Sequence, residues 1–149
     1  MICHFGSWRN NMVLSEVISL NTKGFSDIID ITQAVSGVVQ KSGMKNGMMT
    51  IFCSGSTAAV TTIEYESGVL EDLKKAIERM APSDISYAHD RRWGDGNGFS
   101  HVRAALIGPS LTVPVVRGTL ALGTWQQIVF IDFDNRKRQR NVLVQVMGE

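Results

Sequence analysis

The chain has almost no cysteine. Among 149 residues only Cys3 and Cys53 carry a thiol, too few and too far apart for a disulfide scaffold or a metal-type cysteine motif. An excess of charge of one sign is also missing. Fifteen basic residues face 14 acidic ones, a net charge of +1, which gives no electrostatic footprint for nucleic acid or an anionic membrane. Long hydrophobic runs are absent as well. The longest mostly apolar stretch, Ala104 to Val116, is too short to span a bilayer and contains Gly108-Pro109. Met1 to Trp8 lacks the basic-then-apolar order of a secretory signal. These absences point to a soluble cytoplasmic protein with neither nucleic acid nor membrane as partner.

What is present suits one globular domain, with 44% hydrophobic residues. Residues 1–11 are polar and aperiodic and read as a flexible extension, in which Cys3 and His4 carry no site; the domain then spans residues 12–149. Met12 to Leu20 alternates as a strand. After the turn at 21–24, Ser26 and Asp27 are placed to cap a helix whose inner face is Ile28, Ile31, Val35, Val38 and Val39, ended by Gly43. Gly47 to Cys53 and Ala58 to Tyr65 read as strands joined by the small-residue turn Ser54-Gly55-Ser56-Thr57. Gly68 to Met80 is an amphipathic helix. A short helix capped by Asn97 or Ser100 stops at Gly108-Pro109. Strands follow over Leu111 to Val116, Gly118 to Phe133 and Asn141 to Met147, the last two as a hairpin. The expected class is α+β, with about three helices and a mixed, mainly antiparallel sheet, because helices do not alternate one for one with strands.

The densest polar chemistry lies between His89 and His101. The segment holds two of the three histidines, with Asp90, Asp95, Asn97 and glycines at 94, 96 and 98 between them. Neutral imidazoles bind zinc-like ions, and Asp95 adds an oxygen donor. The same groups suit proton transfer near neutral pH. A polar loop with locally bonded histidines is the bland alternative. Ser56 and Thr57 offer hydroxyls and amides to an anion, without a P-loop's lysine or helix. Glu64 stands in a Thr- and Ile-rich strand, where solvent exposure competes with a role as base. Gln126 needs a hydrogen-bond partner if it points inward. The basic run at 136–140 places Arg138 and Arg140 on one strand face, within reach of a phosphate or a carboxylate. A nucleic-acid surface would be broader and rich in stacking aromatics. Cys53 sits in an apolar strand and reads as packing.

Taken together, Ser54-Gly55-Ser56-Thr57-Ala58-Ala59 with Glu64, Tyr87 with His89, Asp95-Gly96-Asn97-Gly98 with His101, and Gly118 to Gln126 resemble the YjbQ-like family of secondary thiamine-phosphate-synthase-like proteins. The resemblance runs from about Met12 to Glu149. It implies a sheet curved into a half barrel, a homotrimer with polar pockets near subunit boundaries, and a weak activity joining a pyrimidine diphosphate to a thiazole phosphate. By position it assigns catalysis to His89, His101, Asp95 and Glu64. It assigns ligand binding to Ser56, Thr57, Asn97 and Gln126, to which the strand-face reading adds Arg138 or Arg140 as holders of phosphate, and a divalent metal, zinc or magnesium, to His89 and His101. The expectation is therefore a transferase acting on a phosphorylated small molecule. The alternative is a non-catalytic binder of metal or small ligands. Many relatives carry histidine where this chain has Gly55, which removes one potential ligand.

Overall fold

The computed structural model describes residues 12–149; the expected extension over residues 1–11, with Cys3 and His4, lies outside the described residues. Alternation builds the first strand, β1 (Met12–Thr22), with Leu14, Ile18 and Leu20 turned inward and Val13, Ser15, Val17 and Ser19 outward. The other strands are β2 (Asp27–Asp30), β3 (Asn46–Cys53), β4 (Ala58–Ile63), β5 (Ser110–Val116), β6 (Thr119–Leu120), β7 (Gln127–Asp132) and β8 (Arg138–Gly148). The helices are α1 (Thr32–Ser42), α2 (Ser67–Met80), α3 (Ala88–Trp93) and α4 (Gly98–Ile107).

The strands form a five-stranded sheet, β1-β8-β3-β5-β6, and a three-stranded sheet, β2-β7-β4, which curl together into a half barrel. The α+β class holds. Every described pairing is antiparallel, so the sheet is not mixed: no helix serves as a crossover between parallel neighbours. Between the sheets lies one core, with Met49, Ile51, Val142, Val144 and Val146 facing Val60, Ile128 and Phe130, and Val35, Val38 and Val39 of α1 closing one end. The opposite face of the small sheet packs Ala59, Val129 and Ile131 against Ile77 of α2 and Ala104 of α4. The small sheet is thus covered on both sides, which is why β7 reads as a continuous apolar run.

Four expectations change. Asp27–Asp30 is a strand paired with β7, not the first turn of a helix. Phe25 and Ser26 turn the chain with positive φ (53° and 62°), and Ile28 and Ile31 enter different cores. Helix α1 starts at Thr32, whose N–H and hydroxyl both donate to Asp30 Oδ1 (2.8 and 2.6 Å). The expected long strand over 118–133 breaks into β6 and β7, which belong to different sheets. For the same reason β7 and β8 are not a hairpin. A fourth helix, α3, occupies the start of the expected polar loop.

The chain passes between sheets at β1–β2, β3–β4 and β7–β8, and these crossings meet at one corner. Phe25 N–H donates to Asp134 O (2.8 Å) and Phe133 N–H to Thr57 O (2.9 Å). Gly24 is required there: at φ +74° a β-carbon would come within 2.5 Å of Asp134 O. This corner borders the candidate site.

Candidate functional site

The α3–α4 turn sets the site. Gly94 ends α3 in the left-handed conformation (φ 67°). The chain then runs through Asp95 and Gly96 into α4, with Asn97 at its N-cap position. Gly98 lets the two helices close up, since a β-carbon there would meet Tyr87 Cβ at 2.4 Å. Its N–H donates to Asp90 Oδ1 (2.8 Å). This packing brings the rings of His89 and His101 to 4.5 Å between centroids, tilted by 34°. His89 Nδ1 lies 3.3 Å from Asp95 Oδ1 and 3.7 Å from Asp90 Oδ1. That nitrogen is enclosed, yet among the described residues it has no hydrogen-bond partner.

Ligand atoms of His89, Asp90 and Asp95 all lie within 4.8 Å of one another. Asp90 was absent from the expected site residues, and His101 does not join this group. His101 instead faces a pocket of about 260 Å³ lined by Gly55, Ser56, Ala58, Ala104, Ala105 and Pro109. Its walls are mostly aliphatic, with the Ser56 hydroxyl and the imidazole as polar features. Chemically, the cleft offers a proton-transferring ring, a cation-attracting cluster and a small apolar chamber side by side.

The other expected residues divide. Thr57 is buried, unlike its exposed neighbour Ser56. Its hydroxyl donates to Asp134 Oδ2 (3.1 Å) and accepts from an Arg140 terminal nitrogen (2.7 Å). Arg140 is bidentate on Asp132 (2.7 and 2.8 Å) and reaches Asp134 Oδ2 (3.2 Å). The Asp132 hydrogen bonds raise the Arg140 pKa further above its ordinary value, against desolvation. Arg138 Nε donates to Asp134 Oδ2 (2.9 Å), and the Thr22 hydroxyl to Asp132 Oδ2 (2.6 Å). Burial pushes the Asp134 carboxyl up, but hydrogen bonds from Arg138 and Thr57 and the charges of Arg138 and Arg140 outweigh it, leaving the pKa below its ordinary value. Arg140 and Thr57 therefore tie the sheet crossings together. Cys53 lies beside this corner, buried, its thiol pKa raised mainly by desolvation; it packs.

Glu64 and Gln126 are elsewhere. Glu64 follows β4, whose first residue Ala58 lines the His101 pocket, and six residues of strand span roughly 20 Å. Glu64 instead borders a separate cleft with Asp30, Tyr65 and Trp125. Gln126 Oε1 accepts from Gly123 N–H (2.8 Å) in the adjoining turn. One chain does not bring these two residues to the histidines. The sequence carries a signal for the corner: two acids spaced by two, Asp132 and Asp134, precede two arginines spaced by two, Arg138 and Arg140.

Fold and cleft together define an antiparallel α+β half barrel with a histidine–carboxylate site at the end of its helical layer. The chain belongs to the family described as UPF0047 protein YjbQ-like, whose profile matches residues 16–149. It is 42% identical over 137 residues to a UPF0047 protein of Methanothermobacter thermautotrophicus, covering 92% of this chain and 94% of that one. A UPF0047 protein of Archaeoglobus fulgidus is 38% identical over 130 residues, 87% of this chain and 98% of that one. Among crystal structures, a YbjQ-like protein of Sulfolobus solfataricus superposes with a TM-score of 0.88 at 34% identity, covering 93% of this chain and 99% of that one.

Proposed function

We propose that the His89–His101 cleft binds a phosphorylated small molecule beside a divalent cation and carries a weak thiamine-phosphate-synthase-like transferase activity. The observation behind it is the enclosed His89 Nδ1, which faces two carboxylates and has no hydrogen-bond partner among the described residues. Such a nitrogen is costly to bury unless a proton or a cation completes it. One imidazole and two carboxylates form a donor set suited to zinc or magnesium. A bound cation there would supply Lewis-acid stabilisation of charge on a departing pyrophosphate.

In the reaction, the bond between the pyrimidine's methylene carbon and the pyrophosphate oxygen breaks. The electron pair leaves with pyrophosphate, and the thiazole nitrogen forms the new carbon–nitrogen bond. The mostly aliphatic chamber beside His101 suits a compact ring. His101 is positioned to hold a proton for the leaving oxygen, while Asp90 and Asp95 stand beside His89 Nδ1 as its partners toward a cation. Glu64 and Gln126 enter through a homotrimer that sets their cleft beside a neighbouring protomer's histidines. The exposed Val13, Val17, Met48 and Met147 on the outer sheet face support such association. Light scattering on the purified protein tests it: a trimer mass is expected, and a monomer would remove Glu64 and Gln126 from the site.

Purified protein given the pyrimidine diphosphate and the thiazole phosphate should form thiamine phosphate, and His101→Ala should slow this about 100-fold. Turnover untouched by that substitution overturns the assignment. One observation favours a second reading, a non-catalytic binder of metal or small ligands: the Asp95 side chain is 47% exposed, leaving the cleft open to water. Stoichiometric cation binding with no turnover would select it.

A further inference from the structure

Asp95 is shared with another cavity, of about 400 Å³, bounded also by Asn97, Asn135, Arg136 and Arg138. Asn97 is only 5% exposed. Its Oδ1 accepts from Ser100 Oγ (2.6 Å) and Asn135 N–H (3.1 Å), which fixes the amide's orientation. Its Nδ2 donates to no protein group among the described residues and keeps contact with solvent, so a donor of an otherwise nearly buried residue is open to the cavity. Asn135 Nδ2 donates to Asp95 O (2.8 Å) and holds the wall in place. Arg138 commits only Nε, to Asp134. Its two terminal nitrogens have no partner among the described residues. Arg136 is exposed and forms no ion pair among them.

Two guanidinium groups and one oriented amide therefore border the same space with their donors unused. Guanidinium forks match the oxygens of a phosphoryl group. Arg140, by contrast, is taken up by Asp132, Asp134 and Thr57. We propose that this cavity is a phosphoryl subsite, with Arg136, Arg138 and Asn97 holding the anionic end of the ligand. It rests on the reading of the adjoining His89–Asp95 cleft as the ligand site, and adds the ligand's direction: phosphate beside Asp95, compact ring beside His101. Asp95 opposes the anion, and Asp134 offsets part of the Arg138 charge. A divalent cation at His89–Asp95 therefore strengthens anion binding by neutralising Asp95.

The test is calorimetric titration of the full-length, chelator-treated protein with inorganic pyrophosphate at fixed ionic strength. Saturable binding at one site per chain is expected. Arg136→Glu, at an exposed position whose side chain forms no hydrogen bond or ion pair among the described residues, should weaken it by about tenfold or more. Asn97→Asp, which keeps the Oδ1 acceptor and removes the donor, should do the same, with an unchanged circular dichroism spectrum as the folding control. Succinate should bind about tenfold more weakly than pyrophosphate, separating a phosphoryl site from a general carboxylate site. No saturable binding, indifference to Arg136→Glu, or equal affinity for succinate overturns the proposal. Magnesium should tighten pyrophosphate binding in the unsubstituted protein and not in His89→Ala. If pyrophosphate binds through Arg136 but magnesium adds nothing, the subsite stands and the cation site fails. If magnesium binds at His89 while pyrophosphate ignores Arg136, the subsite alone fails.

Discussion

The crossover corner and the histidine cleft are neighbours built from similar residues, and they treat charge in opposite ways. At the corner, Asp132 is 0% and Asp134 1% exposed. Their charges meet Arg138, Arg140, Thr22 and Thr57 in a network of hydrogen bonds that uses both oxygens of Asp132 and Oδ2 of Asp134. Asp134 Oδ1 is buried without a partner among the described residues. In the cleft, Asp95 is half exposed, His89 Nδ1 lacks a hydrogen-bond partner, and the terminal nitrogens of Arg138 are open. Buried charges that pair fix a fold. Polar groups held in place but left incomplete are available to a ligand. Arg138 belongs to both regions, with its Nε on the corner and its fork toward the cavity.

The largest expected effect falls on the corner. Arg140→Ala leaves two buried carboxylates short of a partner and should cost about 3–5 kcal/mol, read from denaturant unfolding. A cost near zero would break the contrast. His101→Ala should do the reverse. Its cost in unfolding free energy should stay below about 1 kcal/mol, against the roughly 100-fold loss of turnover already described. A smaller effect comes from acid. The Asp134 pKa is lowered in the folded state from an ordinary 3.8. Its stabilising contribution is therefore complete above that value and lost as pH falls through the lower folded value. Unfolding midpoints measured from pH 5 to pH 2 should decline less steeply in Asp134→Asn than in the unsubstituted protein. Parallel profiles would contradict the role given to the Arg138 and Arg140 charges. The smallest stability change belongs to Gly55→His. A β-carbon at Gly55 meets only Arg140 Nη1 at 3.6 Å and Cys53 Sγ at 3.7 Å, which is ordinary contact. The imidazole should enter the His101 pocket with stability kept within about 0.5 kcal/mol, and zinc should bind more tightly. An unchanged zinc affinity would separate that pocket from the cation site.

Periodicity revealed β1, α2 and β8 in the sequence because each buries one face. It failed at 26–30, where Ile28 and Ile31 suit a helix and a strand-to-helix bend equally, and only pairing with β7 decides. It failed again over 118–133, because a run buried on both faces does not show where one sheet stops and the other begins. The His89–His101 segment stood out because core packing has no use for its composition. Asp90 is not legible as a site residue, because an acid next to a histidine points the same way only when a helix turns it there. Arg140 and Thr57 look like anion binders in the sequence. Which arginine is taken up by the fold depends on Asp132 and Asp134, and that is decided by the meeting of three crossings between sheets.

The central claim is that the cleft, and not the corner, awaits a ligand. Crystals soaked in zinc and measured on both sides of its absorption edge test this most directly. The account predicts one anomalous peak per chain, about 2.0–2.2 Å from His89 Nδ1 and from a carboxylate oxygen of Asp95 or Asp90. A map with no peak there, and with His89 Nδ1 hydrogen-bonded to protein, would contradict it.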